Sequence, residues 1–144
     1  MSNQPFQKND DPDYAAVLAS YHRCEAVSDF FDTFYERFFA KSPEVPPKFA
    51  RTNMDRQKQV IMASLLWVLR LYTGDPIAKT EIEKLSETHK QSGYDIKPEL
   101  YDLWLDALCE SFARHDPEYT PELEQRIRRV VQPAIDLMRS RYRS

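Results

Sequence analysis

Apolar positions recur along this chain every three to four residues, and the period-two alternation of strands is missing, so the pattern reads as helices throughout. Ten prolines against two glycines punctuate that pattern and mark helix ends. Residues 1 to about 11 are polar and read as a mobile leader. A first helix is predicted from about Pro12 to Ala26, with Tyr14, Val17, Leu18 and Tyr21 on one face. Ser28 is placed to cap a second, which carries Phe30, Phe31, Phe34, Tyr35, Phe38 and Phe39. Pro43, Pro46 and Pro47 restrict the stretch from Ser42 to Ala50 to a turn or a short tight helix.

Thr52 with Asp55 offers a capping-box start for a long helix to about Tyr72, along which Met54, Ile61, Leu65, Val68 and Tyr72 keep helical register. Gly74 and Pro76 stop it. The next helix, from about Ile77 to Gln91, bears the stripe Ile82, Leu85, His89, and Gly93 ends it. Pro98 sits near the first turn of a helix reaching Arg114, with Leu100, Trp104, Ala107, Leu108, Ser111 and Phe112 inward. Thr120 and Pro121 open the last helix, whose inner face is Leu123, Ile127, Val130, Ala134 and Met138, with a kink expected at Pro133.

Composition narrows the function classes. At 144 residues the chain fits one domain, long enough to surround a cofactor. A 42% apolar and 30% charged balance is that of an ordinary globular protein. The net charge of -3 provides no electrostatic footprint for nucleic acid. The opening residues lack the apolar core of a signal peptide, and no run reaches the length of about eighteen apolar residues of a membrane span, so a cytoplasmic location is the default. Cys24 and Cys109 form no CxxC or CxxCH pattern, which leaves them as small buried hydrophobes and provides no thiol pair for covalent attachment of a cofactor. Gly74 and Gly93 are too far apart for a phosphate-binding loop, and His22, His89 and His115 share no zinc spacing.

His89 closes an apolar helical stripe between aromatic-rich helices. An imidazole so placed is either a capping or packing residue or a metal ligand, and imidazole is the usual proximal ligand of haem iron. Gln57 and Ile61 are one helical turn apart and project together. Tyr35 brings a hydroxyl into the phenylalanine cluster. Together Tyr35 and Gln57 are either surface-reaching polar groups or a pair of donors converging on a small ligand in an apolar cavity.

The ordered set Phe34-Tyr35-Glu36-Arg37-Phe38-Phe39, Ser42-Pro43-Glu44, Phe49, Met54 with Gln57, His89, and Ile96-Lys97-Pro98-Glu99-Leu100-Tyr101 resembles the bacterial single-domain globins and the globin domain of flavohaemoglobins. The resemblance spans about Ala15 to Tyr142. It implies an all-α globin fold of about six to seven helices around a haem pocket. It implies a non-covalent b-type haem whose iron is held by His89, with Phe49 stacked on the ring, Ile61 over the iron and Tyr101 supporting the proximal side. Leu85 and Trp104 would complete the cofactor lining. Tyr35 and Gln57 would face a bound diatomic: dioxygen, nitric oxide or carbon monoxide. Reversible binding of dioxygen or nitric oxide, conversion of nitric oxide to nitrate with a separate reductase, and gas sensing are the three activities such a site implies.

Three departures accompany the resemblance. The segment between Phe49 and Gln57 is shorter than in flavohaemoglobins, which makes Lys58 or Gln59 a rival for the place facing the iron. Ile127 stands where a tryptophan is expected. After Asp136 the chain offers only Leu, Met, Arg, Ser and Tyr, so the carboxylate that flavohaemoglobins set behind the proximal His has no candidate there.

Overall fold

A computed structural model describes residues 11–26 and 29–143, and among them it contains seven helices and no strand. The leader up to residue 10, and the candidate cap Ser28, lie outside the described residues. Asp11, the end of the expected leader, is instead the cap of α1 (Pro12–Glu25): its carboxylate accepts from the backbone N–H of Asp13 and Tyr14. α2 (Phe30–Lys41) buries Phe30, Phe31, Phe34, Tyr35 and Phe38. The three prolines reduce the following stretch to a single turn, α3 (Val45–Lys48).

The long helix α4 (Met54–Leu71) starts one residue later than the capping box suggests. Thr52 spends its N–H on the Phe49 carbonyl at 3.0 Å, closing the turn after α3, and Asn53 takes the cap by accepting from Arg56 N at 3.1 Å. Gly74, at φ 89°, turns the chain out of α4. Pro76 then begins α5 (Pro76–His89) rather than merely ending its predecessor, because a first-turn position needs no N–H. Asp75 caps that helix through Ile77 N and Ala78 N.

α5 ends at His89, two residues before the expected limit of Gln91. Tyr94 N returns to the Thr88 carbonyl at 2.8 Å and Ile96 N to the His89 carbonyl at 3.0 Å, so the chain folds back over the last turn. This requires a close approach at Gly93, where a Cβ would lie 2.5 Å from the Thr88 carbonyl oxygen. α6 (Glu99–His115) and α7 (Pro121–Ser140) follow the expected stripes, and the Thr120 hydroxyl caps α7 through Leu123 N. α7 continues unbroken through Pro133.

α2 packs on α6, α1 on α7, α4 on α5, and α5 on α7. Phe34, Leu65, Leu108, Phe112, Ile127 and Val130 are completely buried where these helices meet. Ile127, in the place of the expected tryptophan, is thus an ordinary core residue. Cys24 and Cys109 are free and buried, as their sequence surroundings suggest. No helix of the described residues is long and apolar enough to cross a membrane.

The α6–α7 turn is tied to α1 by a buried carboxylate. Asp116 accepts from Arg23 Nε at 2.7 Å and Arg23 NH2 at 2.9 Å, from Ser20 Oγ at 2.5 Å and from Glu118 N at 2.9 Å. Burial alone pushes its carboxyl up, but these donors outweigh it and hold the pKa at about 2. At the other end of the molecule, the turn after α7 holds the loop that follows His89. Gln91 N donates to the Tyr142 carbonyl at 2.7 Å, and the Tyr142 hydroxyl donates to Asp95, whose backbone is in the left-handed region at φ 54°.

Candidate functional site

A cavity opens between α2, α4, α5, α6 and α7. It offers about 1050 Å³ of space, part of it open to solvent. Tyr35, Phe49, Gln57, Ile61, Leu85, His89, Tyr101 and Trp104 all line it. The structure therefore brings every sequence-selected site residue to one place, from four helices and the turn after α3.

Aromatic rings set the wall below α2. Tyr35 meets Phe49 edge-on at 5.7 Å between centroids, Phe39 packs on Phe49 at 5.2 Å, and Trp104 meets Phe34 edge-on at 5.6 Å. Into this apolar surface project very few polar groups. Gln57 Nε2 donates to the Tyr35 oxygen at 3.1 Å. The phenol oxygen is then the acceptor, and its own O–H remains available to donate into the cavity. Burial raises the Tyr35 pKa to about 12, with the Gln57 bond opposing, so the proton stays on at neutral pH. Burial raises the Tyr101 hydroxyl further still.

The shortened segment before α4 leaves Gln57 facing inward. Lys58 points away: its ammonium pairs with Asp32 at 2.6 Å and Asp55 at 3.5 Å, and it does not line the cavity. Gln59 is exposed. Neither rival occupies the place of Gln57.

On the opposite helix, His89 Nδ1–H donates to the Leu85 carbonyl at 2.8 Å, and the Thr88 hydroxyl, itself a donor to that carbonyl, lies 2.9 Å from Nδ1. A carbonyl can only accept, so Nδ1 carries the proton and Nε2 keeps its lone pair. Burial lowers the His89 pKa and the Leu85 bond opposes this, which favours the neutral ring. Asp136, the last carboxylate of α7, accepts from Gln132 on the helix surface at 2.9 Å instead. The other imidazoles lie outside the cavity, His22 beside Glu25 and His115 beside Thr33. No cluster of three His, Cys, Asp or Glu side chains among the described residues is arranged to hold a metal ion.

A neutral imidazole with a fixed tautomer and an unengaged Nε2, in a largely apolar cavity, fits an iron tetrapyrrole. Sequence reasoning missed Val131 and Ile135, which join the expected inward residues Ala134 and Met138 in the wall that α7 supplies, and the mouth residue Lys48. The inward stripe of α7 was a usable signal for the former. Lys48 follows a proline pair and has no periodic neighbour to orient it.

Seven helices, a cavity roofed by α2 and α4, and a lone imidazole on α5 define a globin. The Globin family model matches residues 32–137, and the chain belongs to the globin family. It is similar to a protein from Pseudomonas aeruginosa PAO1 whose crystal structure is described as structurally highly homologous to a human haemoglobin. That likeness has 37% identity and a TM-score of 0.88, and covers 92% of this chain and 99% of that one. No curated protein matches the chain.

Proposed function

We propose that the cavity holds a non-covalent b-type haem, with His89 as the proximal ligand and Tyr35 with Gln57 as donors to a bound diatomic. The observation that carries this reading is the state of His89: Nδ1 donates to Leu85 O at 2.8 Å, leaving Nε2 as an acceptor in a cavity lined mostly by apolar groups. When bound, haem iron supplies reversible coordination of a diatomic ligand. Phe49, Ile61, Leu85, Tyr101 and Trp104, which line the cavity, would exclude water from the bound group. Gln57 orients the Tyr35 hydroxyl, which donates to a ligand atom that carries partial negative charge; dioxygen meets that need and carbon monoxide far less.

The partner of His89 also separates binding from turnover. A carboxylate behind the imidazole would raise its basicity, whereas the Leu85 carbonyl is neutral and raises it less. We read this as favouring reversible binding of dioxygen over sustained conversion of nitric oxide. Absorption spectra of the ferric, ferrous and carbonyl-bound protein test the cofactor. His89→Ala is expected to lose stable haem, read as the Soret-to-protein absorbance ratio, while His22→Gln and His115→Gln retain it. Full retention by the His89 variant removes the assignment. Nitric oxide consumed in a single stoichiometric burst, even with a reductase added, supports binding; sustained consumption supports turnover.

A further inference from the structure

The two helices that carry Tyr35 and Gln57 are held by different neighbours. α2 packs on α6, whereas α4 packs on α5 and α7. Their own packing therefore does not fix the gap between the phenol and the amide. The bond from Gln57 Nε2 to the Tyr35 oxygen is 3.1 Å long. Such bonds run from about 2.7 to 3.2 Å, so a drift of α4 by a few tenths of an ångström away from α2 would break it.

Outside the cavity a second bridge spans the same gap. Lys58 follows Gln57 on α4, Asp32 precedes Tyr35 by about one turn on α2, and the Lys58 ammonium donates to the Asp32 carboxylate at 2.6 Å. Asp55 lies farther from Lys58, at 3.5 Å, and belongs to the same helix, so it cannot bridge. A charge-assisted bond is about twice as strong as one between neutral groups, which makes the outer bridge the stronger of the two. Lys58 is 29% exposed and Asp32 52%, so water and salt weaken the pair without cancelling it.

We infer that the Lys58–Asp32 pair is the positioning device of the distal donors: it keeps α4 close to α2, so that the Gln57 amide stays on the Tyr35 oxygen and the phenol proton is directed into the cavity. The pair touches no ligand and acts through Gln57. Its effect on a bound diatomic rests on the haem reading above, whereas its hold on Gln57 is a property of the chain alone. Without Asp32, Lys58 turns to Asp55 and the Tyr35 hydroxyl loses its fixed direction.

The test follows dioxygen release from the haem-loaded full chain by stopped-flow at low ionic strength. Exposed charge pairs are worth up to about a factor of five. Lys58→Met and Asp32→Asn are each expected to release dioxygen about two- to five-fold faster than the wild type, and Lys58→Arg to keep the slow rate. On a Tyr35→Phe background Lys58→Met should add nothing, because the group it positions is gone; a merely structural role would persist there. Unchanged release in Lys58→Met, or an equal rise on both backgrounds, overturns the assignment while the haem reading stands. Failure of the wild type to develop a Soret band with haem overturns the haem reading, and the empty chain then decides for the pair. Gln57→Leu should cost less stability in urea melts on the Lys58→Met background than on the wild type, since the bond it removes is already loosened. Equal costs overturn the positioning role. Circular dichroism of Lys58→Met and Asp32→Asn checks their folds.

Discussion

The direction of one hydrogen bond decides what Tyr35 offers a ligand. Because the Gln57 amide donates and the phenol oxygen accepts at 3.1 Å, the phenol proton is spare, and a pKa of about 12 keeps it in place. Tyr35→Phe preserves the ring and its contact with Phe49 but deletes that proton. A hydrogen bond to a partly charged acceptor is worth about 1.5 to 3 kcal/mol, so dioxygen should leave the variant roughly ten-fold faster or more. Carbon monoxide release should change much less. Stopped-flow measurement of both rates checks this; equal effects on the two ligands would make Tyr35 a packing residue. The spacing of Tyr35, Phe49 and His89 was legible in the sequence because each is a distinctive side chain at a fixed interval. The acceptor behind His89 was not, since it is the backbone of Leu85, and every residue has a carbonyl.

Helices were legible from their stripes, and their ends less so, because an end depends on where the next segment sends the chain. Thr52 and Asn53 are both good caps, and the turn after α3 takes the N–H of the first, leaving the second to begin α4. Likewise no periodicity announces that the turn between α6 and α7 is fastened to α1. Asp116 does this with four donors around a buried carboxylate, and its folded pKa of about 2 stands below the ordinary 3.8. A lowered carboxyl pKa contributes stability above the unfolded value that is lost as pH falls through the folded one. The shift corresponds to about 2 kcal/mol at neutral pH. Asp116→Asn is therefore expected to lower stability by that order at pH 7, and to flatten the loss of stability that the wild-type protein shows between pH 4 and pH 2. Urea melts across that range measure it, and identical pH profiles for the two proteins would show that the carboxylate carries no such load.

For the molecule as a whole, the cavity is a debt against the core. The apolar cavity removes packing contacts from the helices that line it, and an occupant that binds only the folded chain stabilises it by mass action. At free haem about one hundred times its dissociation constant, the gain is about 2.7 kcal/mol, or on the order of 5 to 10 °C in melting temperature for a domain of this size. The apo-protein should melt earlier and over a broader range than the haem-reconstituted one by calorimetry, and coincident transitions would count against a haem-dependent fold. The all-helical class was readable from the register of apolar positions, and the globin arrangement from the resemblance carried by the ordered set between Phe34 and Tyr101. How the carboxyl end is used was not. The Tyr142 carbonyl and hydroxyl hold Gln91 and Asp95, which flank the glycine turn just beyond His89. The turn after α7 thus serves as a buttress for the loop beside the imidazole on another helix, and a fusion that pulls on residues 141–143 would be felt at His89.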